Sequence, residues 1–353
     1  MKVLVLGGTG TMGMYLCPLL SKSGNSVYVT SRQENSNDDN ITFIKGNAQD
    51  IFFLKSLLSN TKWDAIVDFM YYTIDSFKQR INLLLESTNQ YVYISSSRVY
   101  ADSYEPIKED SPRLLDVCRD IDYLKTDEYA LLKCLEEDIL FANLNKNWTI
   151  VRPYITFGDY KFQLSSVQKE YWLHRALQGK TILFSQDIAD KITTFTYGYD
   201  VARGIAALLG QESALGEAFH ITSNEEYKWS QILDFYLDVI EKKKGFRPMV
   251  KILDKWTSEV GGTFYQVKYD RLYNRRFDNA KINNFIDTST FKPTSIAIDE
   301  CLSRFINKPS FSYIDWRLYA KQDRLLMEWS DITNITTTKH KIKYILYRTG
   351  LLS

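Results

Sequence analysis

A tyrosine and a lysine four residues apart can share a helix face, and the chain carries two such pairs, Tyr104/Lys108 and Tyr129/Lys133. Pro106 lies inside the first pair and disfavours a helix there. The second, Tyr129-Ala-Leu-Leu-Lys133, sits in a Pro-free stretch of helical character, so the spacing turns both side chains to one side. An ammonium beside a phenol favours the phenolate, and such a phenol can act as general acid or base near neutral pH. Ser95-Ser96-Ser97 closes the apolar run that starts at Tyr91. A hydroxyl at a strand end can hydrogen-bond a reacting carbonyl or alcohol. Taken singly, a Tyr/Lys pair also occurs on solvated helix faces, and a serine cluster in ordinary strand-to-loop turns.

A third element gives these groups a partner. Lys2 to Gly13 reads Lys-Val-Leu-Val-Leu-Gly-Gly-Thr-Gly-Thr-Met-Gly. Val3 to Leu6 is a buried strand pattern, and Met12 to Leu20 reads as a helix. Gly8, Gly10 and Gly13 fit Gly-x-Gly-x-x-Gly between them, the context that a dinucleotide fingerprint needs. Such glycines permit the tight turn, the approach of a pyrophosphate and the packing of helix on sheet. Free N–H groups at the helix start face the phosphates. Gly7, Thr9, Gly10, Thr11, Met12 and Gly13 are the predicted cradle. An acidic residue is expected about 20 residues further on, against the adenosine ribose. Thr30, Ser31 and Arg32 stand there instead. A hydroxyl and a guanidinium suit a 2′-phosphate, so Ser31 and Arg32 favour NADP(H), with NAD possible.

These groups need a scaffold that gathers strand ends. Strand patterns over Val3–Leu6, Ser26–Ser31, Ile41–Ile44, Asp64–Phe69, Tyr91–Ser95 and Trp148–Val151 alternate with helical ones, including Ile74–Leu85 and Thr126–Leu144. The alternation predicts an α/β, Rossmann-type doubly wound parallel sheet, whose ligands bind at the strands' carboxyl ends. Residues 1–158 are read as the dinucleotide-binding domain, with 181–210 returning to it. Residues 159–180 and 211–310 form a smaller C-terminal substrate domain, and 311–353 a C-terminal extension. Tyr104 to Asp122 reads as a loop over the site.

Composition narrows the class. The chain has 353 residues and a formal charge of +1, with no basic field that would argue for nucleic acid. Cys17, Cys118, Cys134 and Cys301 are scattered, which suits a reducing cytoplasm without disulfides. His174, His220 and His340 lie far apart and suggest no metal site. No apolar run approaches the ~18 residues of a membrane span.

In this order, the glycine turn, Ser95 to Tyr100 (Ser-Ser-Ser-Arg-Val-Tyr), Tyr129-x-x-x-Lys133 and Arg152-Pro153 make the chain resemble the extended short-chain dehydrogenase/reductases. The likeness is to their NAD-dependent epimerase/dehydratase group, which acts on nucleotide sugars. Softer similarities extend it to about residue 305. The resemblance implies Ser96 as the catalytic hydroxyl, Tyr129 as acid/base, and Lys133 as both the group that lowers the phenol's pKa and a ribose ligand. It places Asn47, with Ala48 beside it, near the adenine, where the family usually has Asp. Family 4,6-dehydratases resemble Asp-Glu where this chain has Ser97 and Arg98, so dehydration is not expected. The implied activity is NADPH-dependent reduction of a nucleotide-linked 4-keto-6-deoxy sugar, of the dTDP-4-dehydro-6-deoxyglucose reductase type, in polysaccharide biosynthesis. An epimerase with tightly bound NAD is the alternative, and a catalytically silent NADP-sensing regulator the second. Arg98, Arg271, Arg275 and Arg276 are candidate ligands for the substrate's anionic groups. A homodimer is compatible with this reading.

Overall fold

The computed structural model describes residues 1–38, 40–59 and 61–352. It divides into two compact units: residues 1–156, 194–225 and 275–294, and residues 157–193, 226–274 and 295–353.

The first unit is built on a seven-stranded sheet. Its strands are β1 (Lys2–Leu6), β2 (Ser26–Ser31), β3 (Ile41–Lys45), β4 (Trp63–Asp68), β5 (Thr88–Ile94), β6 (Trp148–Pro153) and β7 (Glu217–Ile221). Their order is β7-β6-β5-β4-β1-β2-β3, and every pairing is parallel. The order reverses between β1 and β4, which opens a crevice at their carboxyl ends. The helices are α1 (Gly13–Lys22), α2 (Ile51–Leu58), α3 (Ile74–Glu86), α4 (Tyr129–Ala142) and α5 (Gly198–Leu208).

Alternation along each strand feeds two cores. Val3, Val5, Val27, Val29 and Val67 pack with Leu16 of α1 and Ile205 and Leu208 of α5. Leu4, Leu6, Ile66, Tyr91 and Tyr93 pack on the other face with Leu54 of α2, Phe77 and Leu84 of α3 and Leu140 of α4. Polar side chains set two of the helix starts. Asp50 accepts from the Phe52 N–H at 2.8 Å before α2, and Thr73 from the Ser76 N–H at 3.3 Å before α3.

The unit boundaries correct the expected domains. Residues 181–193 belong to the second unit, so the segment returning to the sheet begins at 194. Residues 211–225 and 275–294 belong to the first unit, because Glu217–Ile221 pairs with β6 as the seventh strand. Apolar strand character alone does not say which sheet a strand joins. Residues 104–122 contain a short helical turn, Leu114–Val117, and run into a second, Ile121–Leu124.

The second unit contains a parallel pair, Ile182–Ser185 with Val250–Leu253, and helix α6 (Trp229–Lys244), which ends at left-handed Gly245. Helix α7 (Thr294–Asn307) leads into α8 (Trp316–Leu325) and α9 (Thr338–Thr349). The expected extension is therefore part of this unit. Trp316, Tyr319, Ala320, Ile335 and Tyr344 form a small core of their own. Ser353, the last residue of that extension, lies outside the described residues. Among the described residues no helix is long and apolar enough to cross a membrane, and no cluster of His, Cys, Asp or Glu could hold a metal.

Candidate active site and dinucleotide cleft

A cleft of about 560 Å³ opens at the carboxyl ends of the first unit's strands. Gly7, Thr9 and Gly10 from the glycine turn line it, together with Thr30, Ser31, Arg32, Gly46, Asn47, Ala48, Gln49, Phe69, Met70 and Tyr71. Two glycines there are required by geometry. Gly7 has φ +71°, in the left-handed region. A Cβ on Gly13 would meet the Gly8 carbonyl oxygen at 2.3 Å, so only glycine lets α1 start this close to the turn. The Thr30 hydroxyl accepts from the Gly7 N–H at 3.1 Å and ties the turn to β2.

The start of α1 has no side-chain cap and no acidic residue in its first turn. No side chain at its start therefore competes with an anion for the positive end of the helix dipole. Among the described residues these features fit a dinucleotide, with the glycine turn holding the pyrophosphate. Thr11, Met12 and Gly13 are not among the residues that line the cleft, and Met12 packs against the core.

At the far edge of the cleft Ser31 is buried. Its hydroxyl accepts from the Gln33 N–H at 3.2 Å and from the Asn35 side chain at 2.8 Å. Arg32 is exposed on the rim. Asn47 is exposed as well, and its side chain caps the Gln49 N–H at 3.1 Å. Gln49 in turn donates to the Tyr71 carbonyl at 2.7 Å, joining two walls of the cleft.

The three groups singled out for chemistry all belong to this unit. Ser96 follows β5, where its hydroxyl accepts from the Arg98 N–H at 3.2 Å. Tyr129 is the first residue of α4, half-buried, and Lys133 lies one turn on, 2 % exposed. The Lys133 ammonium is 5.9 Å from the centre of the Tyr129 ring. Tyr71, from the cleft wall, stacks on Tyr129 at 6.2 Å between ring centres. The rival pair has no such setting: Tyr104 is 96 % exposed.

Sequence reasoning missed the carboxylates that hold this arrangement, Glu128, Glu136 and Glu137. Glu128 caps α4, accepting from the Ala130 N–H at 2.7 Å, and pairs with Arg98. The Arg98 guanidinium lies 5.4 Å from the Tyr129 ring centre, so Arg98 stands beside the candidate acid/base. Lys133 donates to the Tyr93 hydroxyl at 2.9 Å and pairs with Glu136 at 3.1 Å. Glu137, the next residue, holds Arg152 through two bonds of 2.8 Å and accepts from the Ser95 hydroxyl at 2.6 Å. Arg152-Pro153 is thus the anchor of β6 on α4. The visible signal was two adjacent glutamates among apolar residues of a helix, three and four positions after Lys133.

Asp68, at the end of β4, was also unforeseen. It accepts from the Tyr91 hydroxyl at 2.8 Å, the Tyr72 hydroxyl at 3.0 Å and the Met70 N–H at 2.9 Å. Burial pushes its carboxyl up to about 6, against the hydrogen bonds that favour the charged form. The Arg80 guanidinium sits over Tyr72 at 4.3 Å and donates to the carbonyls of Ala48 and Gln49, so this cluster braces the cleft wall.

Three substrate arginines require correction. Arg271 belongs to the second unit, while Arg275 and Arg276 belong to the first. Arg271 is buried, pairs with Asp270 and donates to the Ser165 carbonyl at 2.8 Å. Arg275 is fully buried and donates to the Tyr100 and Ala101 carbonyls at 3.1 and 3.0 Å. Arg276 donates to the Tyr104 carbonyl. The planar donors of these three arginines serve backbone carbonyls and an internal carboxylate instead of an external diphosphate.

The geometry agrees with comparisons to known proteins. A chloroplast stem-loop binding protein of 41 kDa (b) from Arabidopsis thaliana is 27 % identical over 241 residues. The match covers 64 % of this chain, and the chain spans only 59 % of that relative's length. Among solved structures, an epimerase from Methanothermobacter thermautotrophicus superposes with a TM-score of 0.66 at 18 % identity, covering 87 % of this chain and 94 % of the other. The UDP-glucuronic acid 4-epimerase of Bacillus cereus, in complex with UDP-glucuronic acid and NAD, gives 0.63 at 20 % identity, covering 88 % and 100 %. At these identities the two structures establish the fold. The family model for NAD dependent epimerases and dehydratases matches residues 3–222, from the first strand through β7 and well over half of the chain, and the chain belongs to that family.

Proposed function

We propose that this chain is a nucleotide-sugar epimerase that works through a retained nicotinamide dinucleotide. The observation that carries the proposal is the grouping, within one unit, of the dinucleotide cleft with Ser96, Tyr129 and Lys133. Residues 97 and 98 are Ser and Arg, which offer no carboxylate pair for the elimination of water. Family membership and the nucleotide sugar and NAD bound by the Bacillus cereus relative support the same reading.

When bound, the nicotinamide supplies the two-electron acceptor and donor. The protein handles the proton. Tyr129, as phenolate, takes it from a ring hydroxyl of the sugar and later returns it to the alkoxide. Ser96 hydrogen-bonds the same sugar oxygen, where charge develops. The Lys133 ammonium, 5.9 Å from the Tyr129 ring centre, places a positive charge beside the proton carrier. For net inversion, the sugar must turn its other face before the proton and electrons return. Tyr129 is half-buried on the first turn of α4 and stacks on Tyr71, which lines the cleft.

A second reading has one specific observation in its favour. Arg32, exposed on the cleft rim in place of an acid, suits a 2′-phosphate and therefore exchangeable NADPH. NADPH would point to net reduction of a 4-keto-6-deoxy nucleotide sugar. One experiment separates the two. The purified protein is incubated with UDP-hexoses and UDP-hexuronic acids without added cofactor, and the sugars are followed by NMR. Conversion to the C4 epimer supports the epimerase. No conversion, together with stoichiometric NADPH oxidation by a 4-keto-6-deoxy nucleotide sugar, establishes the reductase instead.

A further inference from the structure

Glu136 and Glu137 are adjacent on α4 and both fully buried, yet they are held differently. Glu137 has both oxygens engaged, by Arg152, Ser95 and Arg113. Glu136 places one oxygen against Lys133 and the Tyr93 hydroxyl, while its other oxygen, Oε1, is buried with no hydrogen-bond partner. A purely structural carboxylate would be expected to have both oxygens satisfied, because an unsatisfied buried acceptor costs stability. Burial and the Glu136 carboxylate push the Tyr93 phenol well above its ordinary value, so it stays a donor to Glu136 and an acceptor from Lys133.

An ammonium has three N–H donors. Tyr93 and Glu136 take two of those on Lys133, which leaves one. With Tyr129 and Lys133 as the chemical pair, that one is the donor for the Tyr129 oxygen or a cofactor ribose hydroxyl. The carboxylate also offsets part of the positive field that Lys133 exerts at Tyr129.

We propose that Glu136 is a positioning residue for Lys133: with Tyr93 it fixes the ammonium, restricts it to a single outgoing hydrogen bond and moderates its charge at Tyr129. The proposal rests on the assignment of Tyr129 and Lys133 as the chemical pair. Other charged or titratable groups face this cluster from each packed element. They are Asp68 at the end of β4, Tyr71 after it, Tyr91 and Tyr93 on β5, Arg98 after β5, Asp127 before α4, and Glu137 on α4 itself. Glu136→Gln removes the charge and keeps the shape; it also relieves Tyr71, Tyr91 and Tyr93, whose phenols the Glu136 charge raises, and subtraction of the Tyr129→Phe counterpart cancels their signals.

The test has two arms. In the first, the ultraviolet tyrosinate signal is titrated in wild type and Glu136→Gln, each subtracted from its Tyr129→Phe counterpart to isolate Tyr129. The proposal predicts that the Tyr129 signal appears at lower pH in Glu136→Gln, by about half a unit to one unit, while Glu136→Asp stays close to wild type. In the second, the acidic limb of the turnover profile with a nucleotide sugar moves the same way, a roughly three- to tenfold change in rate at fixed pH on that limb. An unmoved Tyr129 signal in folded Glu136→Gln overturns the proposal, even if the variant melts earlier. A wild type without turnover, but with the predicted tyrosinate displacement, refutes the epimerase and reductase readings and leaves the role of Glu136 supported.

Discussion

Each unit buries an aspartate completely, and the two are treated in opposite ways. Asp68, at the carboxyl edge of the first unit's sheet, is held by two tyrosine hydroxyls and one backbone N–H. Its carboxyl is pushed up by burial to about 6. Asp323, on α8 of the second unit, contacts Arg175 at 2.7 Å and Lys180 at 2.9 Å and accepts from the Ser330 and Tyr344 hydroxyls. Burial works to raise its carboxyl, but Arg175 and the hydroxyls outweigh that and hold it below the ordinary range. Asp323 is compensated by two cations and two hydroxyls, and that compensation fastens α8 and α9 to the helical turn at 173–177. The first unit leaves Asp68 and Glu136 undercompensated, and both lie where the cleft and the Tyr129/Lys133 pair are braced. Undercompensated charge is costly, and it is also what a site uses to adjust proton affinity.

The comparison breaks most sharply at Tyr129. Tyr129→Phe removes the proton carrier and should lower turnover by about 10²–10⁴-fold, with cofactor affinity by fluorescence titration unchanged. Tyr104→Phe, at an exposed ring outside the site, should leave turnover close to wild type. Equal losses would refute the choice between the two pairs.

In the second unit the expected effect is on stability alone. Arg175→Met leaves Asp323 and Glu328 short of a buried cation and should destabilise that unit by about 3–5 kcal/mol at pH 7 in denaturant unfolding. Cofactor affinity of the folded variant should match wild type, since the cleft is lined by the first unit alone. A loss of affinity would contradict the separation of roles.

Asp68→Asn sharpens the comparison through pH. The folded Asp68 carboxyl is raised above the ordinary value near 4, so its contribution to stability is fully present below that pH and is lost as pH rises through about 6. Asparagine does not titrate. The stability of wild type relative to Asp68→Asn should therefore fall by roughly 2 kcal/mol between about pH 4 and pH 6. Asp323, held low, has the opposite sign: its contribution is present above the ordinary carboxyl range and is lost as pH falls through its folded value. A difference between wild type and Asp68→Asn that does not change over this range would show that Asp68 is not held as described.

The smallest expected effect is at the cleft rim. Arg32→Glu should shift the ratio of NADPH to NADH affinity toward NADH by about tenfold, the loss of one charge-assisted phosphate contact. An unchanged ratio would show that Arg32 does not read the 2′-position.

Local periodicity made the first six strands and the glycine turn legible, because a buried parallel strand is a short apolar run and the turn demands glycine. The same logic placed Tyr129 and Lys133 on one helix. It failed where the answer depends on distant partners. Glu217–Ile221 looks like any strand until it pairs with β6. Arg271, Arg275 and Arg276 look like a cluster, yet the boundary between the units falls between Asn274 and Arg275. At Lys133 the i,i+4 rule would pair Glu137, but Arg152 holds that carboxylate and Glu136 takes the lysine. Competition among buried charges from several strands decides such pairings, and no single helix encodes it.

The most direct test of the central claim is a single-turnover absorbance measurement. The cofactor-loaded protein is mixed with a nucleotide hexose or hexuronic acid, and the band of reduced nicotinamide is followed in wild type and in Tyr129→Phe. A transient rise in wild type, decaying as the epimer appears and absent in Tyr129→Phe, is the predicted result. No rise with any nucleotide sugar, or an equal rise in Tyr129→Phe, would contradict the assignment of Tyr129 as the group that moves the proton in this site.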